Sequence, residues 1–159
     1  MERIKVLNEQ IGKELKDAKV ESFRLDGKLV CEVMATYFKF DNWIRVVSTD
    51  ERTIAETETQ DLPANEPLHS EGHQLDYPIS PIGEQYPEFS SYLNKKLIGV
   101  SELVSRKATT MSFGLKLSFE GDLTFILENQ DYPIDKQRYI FEDAVPNNLI
   151  EGNTVSNIS

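Results

Sequence analysis

The chain is poor in the residues that build most recognisable chemical sites. Cys31 is the only cysteine among 159 residues, so neither an intramolecular disulfide nor a multi-thiolate metal site can form. It lies in the apolar run Leu29-Val30-Cys31, which reads as a small buried hydrophobe rather than a reactive thiol. Histidine occurs only at 69 and 73. Nowhere does a Gly-rich phosphate loop, nucleophile elbow, zinc-hydrolase helix or kinase signature occur, and this lowers the expectation of an enzyme. No stretch approaches the roughly 18 apolar residues of a membrane span, and MERIKVLNEQ carries charges where a signal peptide needs an apolar run. A cytoplasmic, non-membrane protein is expected.

Positive charge is also scarce. Seventeen Lys and Arg face 27 Asp and Glu, for a net charge of -10. Binding a nucleic acid backbone rests on cations neutralising phosphates, so direct nucleic acid binding is not expected and a basic protein partner is the natural complement. Hydrophobic residues make up 39% and charged residues 28%, which supports a packed core that folds without a cofactor.

The patterning predicts an α+β domain, mainly antiparallel sheets built from hairpins and meanders with one or two packed helices. Ile4, Leu7, Ile11 and Leu15 are spaced three and four apart, predicting an amphipathic helix over 4–16. From Val20 the chain alternates as a strand, with Asp26-Gly27 as a hairpin turn. A second turn at Phe40-Asp41-Asn42-Trp43 is expected to use the tolerance of Asp and Asn for positive φ, and a short strand Thr53–Thr57 extends the meander. Five of seven prolines lie at 63, 67, 78, 81 and 87, so 61–87 is read as a long irregular connection. A short helix within 84–96 is expected around Phe89, Tyr92 and Leu93. Strands follow over 100–111, 115–119 and 123–127, with Tyr139-Ile140-Phe141 as the last. One domain spanning 1–145 is expected, with 146–159 a polar tail of a kind that usually frays unless it docks on something.

The halves 1–60 and 88–145 echo each other. Phe38 to Ile44 recurs without gaps at Leu117 to Leu123, and Asp76-Tyr77-Pro78-Ile79 recurs at Asp131-Tyr132-Pro133-Ile134. Duplication and chance similarity of acidic hairpins both account for this.

Charge is clustered along the chain. Residues 1–50 balance nine acidic against nine basic side chains, while 51–76 set seven acidic against Arg52 alone and 120–143 set seven against Lys136 and Arg138. The cluster Glu51, Glu56, Glu58, Asp61, Glu66, Glu71 and Asp76 is the candidate partner-binding surface. If the halves align, both clusters follow equivalent strands and meet at one end of the fold. An acidic surface also serves solubility alone. His69 and His73, with Glu71 and Asp76, carry donors a metal could use, but the prolines and Gly72 argue for a loop and no metal is expected. Glu32 is read as an outward edge-strand residue. Phe38 and Phe40 share a core face, leaving Tyr37 exposed.

The hairpin 37–46, with Leu97-Ile98-Gly99 and the run Gly114 to Leu123, resembles in style the small acidic immunity proteins of bacterial polymorphic and contact-dependent toxin systems. That resemblance implies a cytoplasmic inhibitor that blocks one toxin domain, a nuclease among the candidates, and it carries over no binding residue. A small hydrolase using clustered carboxylates, with 63–87 framing a pocket, and a structural subunit pairing through a strand edge are the rival readings.

Overall fold

The computed structural model describes residues 2–62 and 66–156. Four strands form an antiparallel meander, β1 (Asp17–Leu25), β2 (Lys28–Lys39), β3 (Trp43–Thr49) and β4 (Arg52–Thr57). Asp26 and Gly27 join β1 to β2 with φ of 50° and 79°, as a two-residue primed turn requires. The β2–β3 turn departs from expectation: neither Asp41 nor Asn42 has positive φ, and Phe40 N–H instead donates to Asn42 O at 3.3 Å. The left-handed pair falls at Asp50 and Glu51, between β3 and β4.

The Pro-rich connection is more ordered than its composition suggests. β5 (Leu68–Ser70) and β6 (His73–Asp76) form a small hairpin around Glu71 and Gly72, β6 pairs with β1, and β7 (Ile79–Pro81) pairs with β1 further along. The sheet order is β4-β3-β2-β1-β6-β5, with β7 also on β1. Pro67 immediately precedes β5, Pro78 lies between β6 and β7, and Pro81 ends β7, so none removes a donor from the middle of a ladder. Pro63 lies outside the described residues.

The second sheet contains β8 (Leu97–Ser105), β9 (Ser112–Phe119), β10 (Leu123–Gln130), β11 (Lys136–Ile140) and β12 (Leu149–Ser156), in the order β11-β10-β9-β8-β12. β12 docks most of the polar tail instead of leaving it to fray. Only Leu149 of this strand is buried, yet the polar residues find partners across β8 and β9: Asn153 Nδ2 donates to Glu102 at 3.0 Å, Ser101 and Thr154 hydroxyls meet at 3.0 Å, and Lys116 reaches Glu151 at 3.3 Å. Residues 157–159 lie outside the described ones.

The helices are shorter than expected, and the chain is more sheet-rich than an α+β domain. A 3-10 turn (Glu2–Ile4) runs into α1 (Lys5–Asn8), and Gly12, at φ 96°, lies in the irregular chain that follows. Ile4, Leu7 and Leu15 are nevertheless fully buried and Ile11 packs against them. The spacing marked a buried face correctly, but one helical turn plus an irregular segment presents that face as well as a long helix would. Likewise α2 (Ile82–Gln85) and a 3-10 helix (Pro87–Tyr92) replace the second helix and bury Ile82, Phe89 and Tyr92.

The two sheets share one core. Val20, Phe38, Ile44 and Val46 from the first meet Leu115, Leu117, Phe125 and Leu127 from the second. Phe125 sits at its aromatic centre, with ring centroids of Phe38 at 5.6 Å, Phe89 at 5.5 Å, Tyr139 at 5.1 Å and Phe141 at 5.6 Å. A smaller cluster of Leu103, Phe113, Ile126 and Leu149 is closed by Val145 and Ile140.

Each sheet contains a four-strand meander with later strands added beside its first: β6, with β5 beyond it, and β7 on β1, and β12 alone on β8. The echoed residues nonetheless differ in register. Phe38 pairs with Ile44, whereas Leu117 pairs with Phe125 and Leu123 with Phe119. Asp76 to Ile79 connects β6 to β7, while Asp131 to Ile134 forms the β10–β11 turn.

The β2–β3 ladder stops at Thr36 and Val46. Two positions further, where Met34 would oppose Ser48, the Gln137 carboxamide of β11 enters the gap: its Nε2 donates to Val33 O at 3.2 Å and Met34 O at 3.0 Å, and its Oε1 accepts from Ser48 N–H at 3.0 Å. A side-chain amide thus replaces a strand's peptide group and ties the two sheets together. Gln137→Leu is expected to strand these groups and cost about 1–3 kcal/mol, read as a lower urea midpoint; an unchanged midpoint would show that the clasp contributes nothing.

Candidate functional site

The seven carboxylates singled out from sequence do not form one surface. Glu51, Glu56, Glu58 and Asp61 follow the β4 edge: Glu51 in the β3–β4 turn, Glu56 opposite Arg45, Glu58 bonded through its N–H to Trp43 O at 2.8 Å. Asp61 shares a hollow of about 190 Å³ with Asp41, Trp43 and Glu58. Glu66 precedes β5, Glu71 turns the β5–β6 hairpin, and Asp76 ends β6 opposite Arg24. β4 and β6 stand four strand spacings apart, roughly 19 Å. The single acidic region expected from 51–76 is therefore corrected to two groups, because the chain leaves the sheet at β4 and re-enters it beyond β1.

The fold does bring parts of the two acidic stretches together elsewhere. Asp50 and Glu51 of the β3–β4 turn and Asp131 and Asp135 of the β10–β11 turn line one surface hollow of about 140 Å³, with Phe113, Asn129 and Tyr132. Two backbone devices set this up. Asp50 and Glu51 take left-handed φ of 52° and 61°, and Glu51 O accepts from Ser112 N–H at 2.9 Å, fixing the first turn to β9. In the second, Asp131 Oδ1 accepts from Tyr132 N–H at 2.7 Å, and Asp131 O accepts from Ile134 at 3.0 Å and Asp135 at 3.3 Å. Among the described residues none of these four carboxylates takes part in an ion pair; the acidic partners in the salt bridges are Asp26, Asp41, Glu128, Asp143 and Glu151. Sequence reasoning found Glu51 alone of the four by name. Asp131 and Asp135 were visible as members of the acidic stretch 120–143, and Asp131-Tyr132-Pro133 also as an echo, although an Asp before such a dipeptide is itself a turn signal.

The remaining candidates have structural explanations. His69 pairs with Gln74 and His73 with Ser70, so the two imidazoles stand on opposite faces of the ribbon. His73 Nδ1 meets Asp26 Oδ2 at 2.8 Å, and Asp26 is held below the usual carboxylate range first by the Gln74 N–H and then by His73, which locks the β1–β2 turn to the β5–β6 hairpin. Among the described residues no three His, Cys, Asp or Glu groups are placed to hold a metal ion. Cys31 is half-buried, with Sγ 3.4 Å from Val33 O. Glu32 is exposed and accepts the Tyr86 hydroxyl, whose ionisation is pushed up by burial and by that carboxylate.

Tyr37 corrects an expectation. It is only 3% exposed, and its hydroxyl donates to Glu21 at 2.7 Å; burial, then Glu21, push its pKa up to about 12. Phe38 and Phe40 are core. The ammonium groups of Lys19 and Lys39 lie 5.6 and 5.7 Å from the centroid of the Trp43 ring. The hollow beside Lys116, about 400 Å³, presents a lysine already held by Asp143 at 2.8 Å and Glu151 at 3.3 Å. Burial alone would lower that lysine's pKa, but the two carboxylates outweigh it and the net shift is upward.

No family model matches the chain, and no curated protein or solved structure matches it. Among the described residues no helix is long and apolar enough to cross a membrane.

Proposed function

We propose that the chain is a protein-binding inhibitor whose acidic end occupies a basic cleft, and that the resemblance to immunity proteins names the partner class: a nuclease-type toxin domain, met in the cytoplasm. The observation that carries this reading is the set Asp50, Glu51, Asp131 and Asp135, four carboxylates from two turns around one hollow and without an ion pair among the described residues. Like charges brought together cost stability, and a basic surface that neutralises them recovers that cost on association. Glu56, Glu58 and Asp61 continue the acidic edge along and beyond β4. The four-strand meander that both sheets contain supports, beside this, a reading of the chain as two similar halves.

The test is co-expression with the toxin domain encoded beside this gene, followed by stopped-flow association. Protection of the cells is expected, with an on-rate that falls steeply with ionic strength. Glu51→Gln with Asp135→Asn is expected to slow association about tenfold at low salt and flatten the salt dependence. Absence of protection, or an on-rate indifferent to salt, would count against the reading.

A further inference from the structure

Tyr132 is 86% exposed, the most open of the large hydrophobic side chains described, and Ile134 beside it is 53% exposed. An isolated exposed apolar residue carries no meaning. Here two stand on one turn, the turn is tied internally through Asp131, and the carboxylates Asp50, Glu51, Asp131 and Asp135 surround its base. Exposing a tyrosine and an isoleucine together forgoes apolar burial that the core beneath could supply, since Phe113 lines the same hollow.

We infer that the Tyr132-Pro133-Ile134 turn is the anchor of the binding surface, inserting into an apolar pocket whose rim is lined by lysine and arginine in a concave basic partner; this rests on the inhibitor reading above. Three physical features fit that occupant. Tyrosine has two side-chain torsions, so immobilising its large ring costs little entropy. The main-chain bonds to Asp131 hold the turn in shape before binding, which lowers the ordering cost further. The carboxylates select by charge: an apolar pocket with a neutral or acidic rim would leave them desolvated and unmatched, whereas a basic rim pairs them. The anchor sets how long the complex lasts, and the surrounding charge sets how fast it forms.

The experiment uses the full chain and a catalytically inactive form of the toxin domain encoded by the adjacent gene, with both rate constants measured for four proteins. Tyr132→Ala is expected to speed dissociation about 30-fold or more while changing the on-rate less than about threefold. Tyr132→Phe, which keeps the ring, is expected to stay within about threefold of wild type. Glu51→Gln with Asp135→Asn is expected to act on the on-rate instead. Because the ring lies in solvent, unfolding midpoints should coincide, so loss of fold does not mimic loss of the anchor. A wild-type complex that Tyr132→Ala leaves intact overturns the anchor and spares the acidic-surface reading. No complex with wild type, or no such neighbouring gene, overturns both.

Discussion

Gly114→Ala is expected to destabilise the fold by about 4 kcal/mol or more, enough to consume much of the roughly 5–15 kcal/mol that holds a domain together. Gly114 has φ of 134°, a region L side chains rarely adopt, and a β-carbon there would lie 1.9 Å from Leu127 O and 2.9 Å from Leu127 C. Both obstacles are backbone of the adjacent strand β10, so relief requires the β9–β10 ladder to open. The residue also donates its N–H to Thr53 Oγ1 at 3.0 Å, and Thr53 in turn meets Ser48 at 3.1 Å and Ser112 at 2.7 Å, a buried hydroxyl chain that joins β3 and β4 to β9. Moving Gly114 would therefore disturb the junction of the two sheets as well as one ladder. Urea unfolding followed by circular dichroism measures this directly; an alanine variant with the wild-type midpoint would show that the close approach is not obligatory.

Phe125→Ala should cost about 3–5 kcal/mol, the range for deleting a buried aromatic. Phe125 is fully buried, and its ring touches aromatic rings from three sources: Phe38 of the first sheet, Phe89 of the 3-10 helix, and Tyr139 with Phe141 at the end of β11. No single neighbour can collapse into the space without leaving another, because the surrounding rings belong to separately anchored elements. Phe125→Leu, which keeps part of the volume, is expected to lose distinctly less. Equal losses for Ala and Leu would mean that ring geometry, not filled volume, is what the core requires.

Much of the fold was legible because the signals were local. Asp26-Gly27 is a turn in any context that lets φ be positive, and the strands on either side followed from alternation. The face Ile4, Leu7, Leu15 was legible as buried, but not as mostly non-helical, since a buried stripe constrains side chains more than it constrains the backbone between them. β12 was illegible for a related reason. A strand with one buried apolar residue has no pattern of its own, and it exists because β8 offers an edge and Ser101, Glu102 and Lys116 offer polar partners. Tyr37 was misjudged because alternation reports which face a residue takes, not whether that face is covered.

The candidate site divides in the same way. Sequence alone determined that the chain is acidic, with 27 Asp and Glu against 17 Lys and Arg, and that carboxylates gather in 51–76 and 120–143, since these are properties of composition and order. Only the tertiary structure decided which carboxylates are neighbours. Pairing β6 with β1 separated Glu66, Glu71 and Asp76 from Glu51, while packing the β3–β4 turn near the β10–β11 turn joined Glu51 to Asp131 and Asp135 across some eighty residues of chain. Long-range strand pairing fixes spatial neighbours through backbone hydrogen bonds and core burial, and neither leaves a trace in the spacing of charged residues.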